Sequence, residues 1–568
     1  MKQVLLLILT TLRFVLLPAQ NRYDIVIGEI MVDQSPQVGL PNNEWIELKN
    51  VSSSPVNLQN WRIGKPTGQS GPMPNYILQP DSFVIVCTGS AIAAMSAFGP
   101  AISVTGFPSL DNDGDQLFLK SPGGMIIHAI DYSSAWYQNE LKRDGGWTLE
   151  MIDPKNPCAG SSNWKASVDP TGGTPGKKNS VDAVNNDQAA PLLKRSYTID
   201  NLNIVAVFDE PIDSLIASNI ANYSINGLMV TNALPLSPLF NTVRLTLNSP
   251  LQLQTVYELT VSNIKDCKDN IITAGSKAKA GLPEDPVALD IVINEILFNP
   301  RPTAEDFVEL YNKSNKVFDA SKLGVANRNS SNVISSIRQL SVNPWLIFPE
   351  DHIVVTIDPG SLAREYLVKN PDCVFIVSSS PSMPDDKGFA ILLDQQGNVV
   401  DEVNYNKNWH FKLLHNDEGV SLERIDPNGP SQDAVNWHSA ASTAGYGTPT
   451  YKNSQHKLLQ SIPATIAIIP KVFSPDNDGR DDIATIQYKI TEPGYVANVT
   501  IYDAAGRPVR HLVRNGTMGL EGYWSWDGLG DKENKLSAGA YIILTDLFNL
   551  QGWKDQFKNV VVLAKRMN

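Results

Sequence analysis

Two stretches decide the fold: DIVIGEIM followed by NEWIELKN, from Asp24 to Asn50, and DIVINEIL followed by EDFVELYN, from Asp290 to Asn312. They are one phrase written twice, and the agreement continues downstream. DNDGDQLFLKSPGGMIIHAIDY, ending at Tyr132, answers to PDDKGFAILLDQQGNVVDEVNY, ending at Tyr405. LEMIDP, SSNWKAS and GTPGKKNS then answer to LERIDP, AVNWHSA and GTPTYKNS in the same order. A fixed order over such a length marks an internal duplication, which reveals domain edges without any appeal to propensity.

Within each copy the segments IVIGEI, WIELKN, FVIVC and LFLK alternate or run apolar over about four to six residues. They are rich in β-branched and aromatic side chains and bounded by Gly, Pro, Asn or Asp, the pattern of short strands. Strands at intervals of about 8–12 residues with few sustained helical patterns predict β-sandwiches. At roughly 100–200 residues per domain, a chain of 568 residues holds several. The expected fold is all-β, a string of four Ig-like sandwich domains behind a leader: 1–19, then 22–181, 187–282, 287–455 and 462–568. Linkers are expected at NSVDAVNNDQAAP after Lys178, GLPEDP after Ala280 and SQHKLLQSIP after Asn453.

The pattern GEIM, EWIELKN, LDNDGDQLFLKSPGG and IDY resembles the bacterial lamin-tail domain, and NEIL, DFVELYN and GVSLERIDP resemble it again. Between the copies, NIVAVFDEPIDSLIASNIANYSING and VRLTLNSPLQLQTVYELTVSNIKDCKDN resemble a bacterial Ig-like domain of the SbsA type. FSPDNDGRDDIATIQYKI and GYWSWDGLGDKENKLSAGAYIILTDL near the end resemble the FlgD-like Ig domain. The resemblance implies a secreted protein of Bacteroidetes-type bacteria, placed outside the cell or on the extracellular face of the outer membrane. It also implies type IX secretion machinery as a possible partner.

The first residues, MKQVLLLILTTLRFVLLPAQ, join Lys2 to an apolar run and a small residue, Ala19, as a secretory leader does, and Arg13 interrupts the run before it reaches spanning length. No later segment is apolar enough for a membrane span. Lys and Arg number 46 against 59 Asp and Glu, a net charge of -13 without any concentrated basic face, so nucleic acid is not an expected partner. Of four cysteines, Cys87 in FVIVCT reads as a buried strand residue, while Cys158 and Cys267 sit in polar, loop-like settings and either pair or remain free thiols.

No H-E-x-x-H, G-x-S-x-G, Walker loop or C-x-x-C occurs. His410 and His415 form the sole close histidine pair, and spacing five places them on opposite faces of a strand. Glu29 and Glu47, echoed by Glu295 and Glu309, could form a carboxylate dyad. Their strands alternate, however, so the expectation is a solvent-facing or hydrogen-bonded structural role. Two acidic turns have the oxygen-rich spacing that calcium takes: Asp111, Asp113 and Asp115, and Asp476, Asp478 and Asp482. Both lack an EF-hand's terminal Glu, with Pro122 and Gln487 standing there, and Asx-rich turns produce the same letters without an ion. Trp136, Trp147, Trp164, Trp409, Trp437, Trp524 and Trp526 could stack sugars, with core packing as the default.

These readings point to a non-enzymatic secreted or cell-surface scaffold that meets a protein or glycan partner. The alternative is an accessory or glycan-binding module of an extracellular hydrolase system.

Overall fold

The computed structural model describes residues 20–412, 414, 416–456, 464–550 and 553–565. The expected leader and His415 lie outside them. The architecture is all-β, and the longest described helix is Pro359–Glu365. No described helix is long and apolar enough to cross a membrane. Contacts divide the chain into two compact units: the residues up to Pro250 with Tyr257–Lys279, and Leu251–Val256 with the residues from Ala280 on.

In the first unit, the first repeat folds a six-stranded sheet in the order Trp164–Ala166, Leu149–Met151, Ile25–Met31, Trp45–Asn50, Phe83–Thr88, Ala101–Val104. A four-stranded sheet packs against it, built on the hairpin of Gly114–Lys120 with Ile126–Ser133. Trp61, Leu48, Leu117, Ile127 and Trp164 fill the space between. The hairpin and the strands of the repeated phrase form where the sequence predicts them. The rest of the unit holds a four-stranded and a three-stranded sheet around Phe208, Leu245 and Leu259. Cys158 and Cys267 are joined in a disulfide with Cα atoms 6.1 Å apart, while Cys87 is buried in its strand. Arg22 ties the two sandwiches further: its guanidinium donates to the carbonyls of Ile212 and Leu239 and lies 4.4 Å from the Phe240 ring.

In the second unit, the second repeat has a six-stranded sheet of matching order, Trp437–Ser439, Leu422–Arg424, Ile291–Leu297, Phe307–Asn312, His352–Thr356, Val374–Ile376. A three-stranded and a five-stranded sheet follow, around Trp526, Phe473 and Ile543. This last sandwich rests on the end of the repeat. Gln455 Nε2 donates to the carbonyls of Ser439 and Met518, Leu520 N–H to Ser454 O, and Ser442 Oγ to Thr517 O.

Gln455 and Asn179 are buried, as their places inside the expected ranges 287–455 and 22–181 require, although both also fall at the start of expected linkers, and residues 457–463 of the last linker lie outside the described residues. The reason lies on the outer face of the six-stranded sheets.

Candidate functional site

Antiparallel register sets three glutamates in a row across neighbouring strands. Glu29 lies opposite Glu150 on one side and Glu47 on the other, and Glu295 lies likewise between Glu423 and Glu309. All six are at 0% exposure. The expected alternation of buried and solvent faces is therefore wrong: Ile25–Met31 and Ile291–Leu297 are buried at every position. A bulge between Ile27 and Glu29, repeated between Ile293 and Glu295, puts the glutamates on the face away from the sandwich core. The structural, hydrogen-bonded reading of these glutamates holds and the solvent-facing one does not.

What covers them is the end of each repeat, GTPGKKNS or GTPTYKNS, an irregular segment whose amides have no strand to bond. In the first copy Thr174 N–H donates to Glu29 Oε1 at 2.7 Å, Gly176 N–H to Glu47 Oε2 at 2.5 Å and Val181 N–H to Glu150 Oε2 at 3.1 Å. Asn179 Nδ2 donates to the carbonyls of Gly28 and Met151. The second copy repeats this bond for bond: Thr448 N–H to Glu295 Oε1, Thr450 N–H to Glu309 Oε2, Gln455 N–H to Glu423 Oε2, and Asn453 Nδ2 to the carbonyls of Asn294 and Arg424. Buried amides need acceptors, and the glutamates supply them, so the row acts as a clamp on the segment.

Burial and the facing Glu150 raise Glu29 to about 8, and burial with neighbouring carboxylates holds Glu47, Glu295 and Glu309 well above the usual range. The hydroxyls agree. Thr174 Oγ1 lies 2.9 Å from Glu150 Oε1 and 3.3 Å from Glu29 Oε2, and its single proton serves one of them, so a proton kept on Glu29 serves the other contact. Thr448 sits the same way between Glu423 and Glu295.

Around the clamp the copies diverge. Asn294 Nδ2 and His352 Nδ1 both reach Glu309 Oε1, at 2.8 and 2.9 Å. Their counterparts in the first copy are Gly28 and Phe83, and Glu47 Oε1 has no partner among the described residues. At the bulge, Ile27 N–H donates to His128 Nδ1, whereas Ile293 N–H donates to Asp401 Oδ2, which also pairs with buried Arg424 at 3.0 Å. Met151 replaces that arginine in the first copy. Burial pushes His128 down to about 3, so it is neutral at neutral pH.

The acidic turns have different fates. Asp115 pairs with Lys65, Asp111 Oδ1 accepts the Asp113 amide, and these oxygens do not converge. Asp476, Asp478 and Asp482 bring oxygens within 4.8 Å of one another, while Asp482 also accepts the amides of Asp476, Asn477 and Gly479. A further group, Asp187, Glu210 and Asp266, assembles beside the disulfide, with Glu210 raised to about 8 by burial and by Asp266 and Asp187. Its members come from three separate segments with no shared motif, so sequence spacing could not find it.

His410 Nδ1 lies 2.9 Å from Ser439 Oγ, a pairing missed in the sequence, but both residues are buried and Ser439 Oγ also accepts the Phe411 amide. Trp164 and Trp437 are buried against Trp136 and Trp409 at equivalent places, and Trp524 and Trp526 are buried in the last sandwich. These follow the default of core packing.

Residues 18–134 match the family model of the Lamin Tail Domain. No curated protein matches the sequence. Among solved structures, the N-terminal part of the bacterial S-layer protein SbsC is similar at 18% identity over 29% of this chain and 45% of that one, with a TM-score of 0.16. A DUF4876 family protein from Bacteroides thetaiotaomicron is 12% identical over 42% and 90%, TM-score 0.17. PorZ, a surface component of the type-IX secretion system of Porphyromonas gingivalis, is 8% identical over 93% and 81%, TM-score 0.16. The chain thus spans less than half of the SbsC fragment.

Proposed function

We propose that the chain is an exported, non-catalytic scaffold whose sandwich modules present surfaces to a protein or glycan partner at the cell exterior. The observation that carries this reading is the clamp. The carboxylates best placed for acid–base work are at 0% exposure beneath a segment of the same chain and accept its amides, a use that stabilises a module and leaves no face for a substrate. The Cys158–Cys267 disulfide supports an oxidising destination. The four-domain division expected from the repeats is part of the proposal, as is calcium at Asp476, Asp478 and Asp482.

Cell fractionation with surface proteolysis of intact cells tests the location; a chain found only in the cytoplasm with free thiols at Cys158 and Cys267 overturns it. A hydrolase panel on purified protein tests the absence of catalysis, and turnover abolished by one substitution sinks that part. For calcium, chelator should lower the thermal midpoint of the wild type but not of Asp476→Ala/Asp478→Ala. An unmoved wild-type midpoint removes the ion.

A further inference from the structure

The clamp segments also differ on their solvent side. In the first copy Lys178 pairs with Asp182 at 2.7 Å and Lys177 with Asp169 at 3.1 Å. In the second copy the matching positions hold Lys452 and Tyr451, and His456 stands where Asp182 stands. Lys452 thus lacks the counter-ion its counterpart has. Lys369, whose ammonium lies 3.9 Å from the centre of the Tyr451 ring, adds a second charge with no carboxylate partner among the described residues.

The two lysines border a cleft of about 450 Å³, lined also by Tyr451, His456, Glu521 and Tyr523. Glu521, the one carboxylate among the lining residues, is paired with Lys489 at 3.6 Å. Tyr523 is 62% exposed. Burial, followed by the charges of Lys452 and His352, pushes His456 down to about 4. In a chain of net charge -13, two lysines without a carboxylate partner beside the exposed Tyr523 ring are a departure from the overall balance.

We propose that this cleft binds a short stretch of acidic polysaccharide, with uronate or sulfate groups on Lys369 and Lys452 and a sugar face on Tyr523. The volume lies in the range of small-ligand sites, roughly 300–1,000 Å³. Ammonium groups act as point charges for carboxylate and sulfate oxygens, and a tyrosine ring offers apolar contact with a polar edge. The only aliphatic lining residues are Ala444 and Leu520, and Leu520 is buried, which favours a sugar over a peptide with an apolar anchor. The inference deepens the scaffold reading by naming a ligand class, and its test is made in vitro, apart from location and turnover.

Calorimetric titration of the full-length protein uses polygalacturonate and dextran sulfate as probes, with dextran and polyglutamate beside them. The acidic polysaccharides should bind and dextran should not. Lys369→Ala/Lys452→Ala should weaken binding by about tenfold or more, and Tyr523→Ala by less. The sharpest variant is His456→Asp, which gives Lys452 the counter-ion that Asp182 gives Lys178 and should weaken binding while circular dichroism and melting stay as in wild type. Absence of binding to both acidic polysaccharides overturns the proposal, as does binding indifferent to His456→Asp and to the lysine pair. Equal affinity for polyglutamate also overturns it, in favour of an acidic peptide.

Discussion

The two repeats hold the same clamp in different surroundings, and the difference separates what the fold requires from what it tolerates. Three glutamates, a threonine and an asparagine recur bond for bond, because the irregular segment has the same amides to satisfy in both. The groups behind them are exchanged in sets. His128 and Met151 in the first copy become Asp401 and Arg424 in the second, each set giving the bulge amide an acceptor. A neutral ring and an ion pair held by a serine hydroxyl are two solutions to one requirement. Mixed sets should fail.

The largest expected effect tests that statement. Arg424→Met alone leaves Asp401 buried without its counter-charge and should cost about 3–5 kcal/mol in denaturant unfolding. Adding Asp401→His recreates the first copy's set and should recover most of the loss. A double variant as unstable as the single would show that the sets are not equivalent. Next is the tie between sandwiches, covalent in the first unit and hydrogen-bonded in the second. Reduction should destabilise the first unit by about 2–4 kcal/mol, read as faster amide exchange confined to it; loss of protection in the second unit instead would contradict the assignment.

Acid should separate the copies further. His352 and His410 are held near 4 and His128 near 3, against an ordinary value of 6.5. Below pH 6.5 the unfolded chain takes protons that the folded chain refuses, so stability falls as pH falls, by up to about 1.4 kcal/mol per pH unit for each group. With more such histidines, the second copy should lose protection first between pH 6 and 4. Glu29, raised to about 8, works in the opposite direction: the unfolded carboxyl loses its proton above about 4.5 and the folded one does not, so stability declines as pH rises from there to 8. The smallest effect is a repair. Gly28→Asn, where the added Cβ meets only Lys49 Cβ at 4.0 Å, supplies the donor that Asn294 gives Glu309 and should raise stability by about 1 kcal/mol. No gain would mean that Glu47 Oε1 already has a partner in solution.

Strands, hairpins, the duplication and the Cys158–Cys267 candidate pair were legible because they leave local signals: alternation, Gly turns, repeated phrases. The burial of Glu29 and Glu47 was not, because alternation in IVIGEI reads as one wet face unless something covers it. The cover is GTPGKKNS, which has neither apolar period nor strand propensity. Its recurrence as GTPTYKNS was visible, but recurrence alone does not say that its amides seek carboxylates across the sheet. The Asp187, Glu210 and Asp266 group was invisible for the related reason that its members meet only in the folded chain.

The clamp also sets a schedule. Glu29 meets Thr174 across 145 residues and Glu295 meets Thr448 across 153, so each repeat's lock arrives last in its own sequence. A chain emerging from the ribosome amino end first can pair its early strands. It cannot seal the glutamate row until the closing phrase of that repeat has appeared. Until then that stretch of the sheet lacks the amides and hydroxyls that its carboxyls meet in the finished fold, so each repeat is completed only by its own closing phrase.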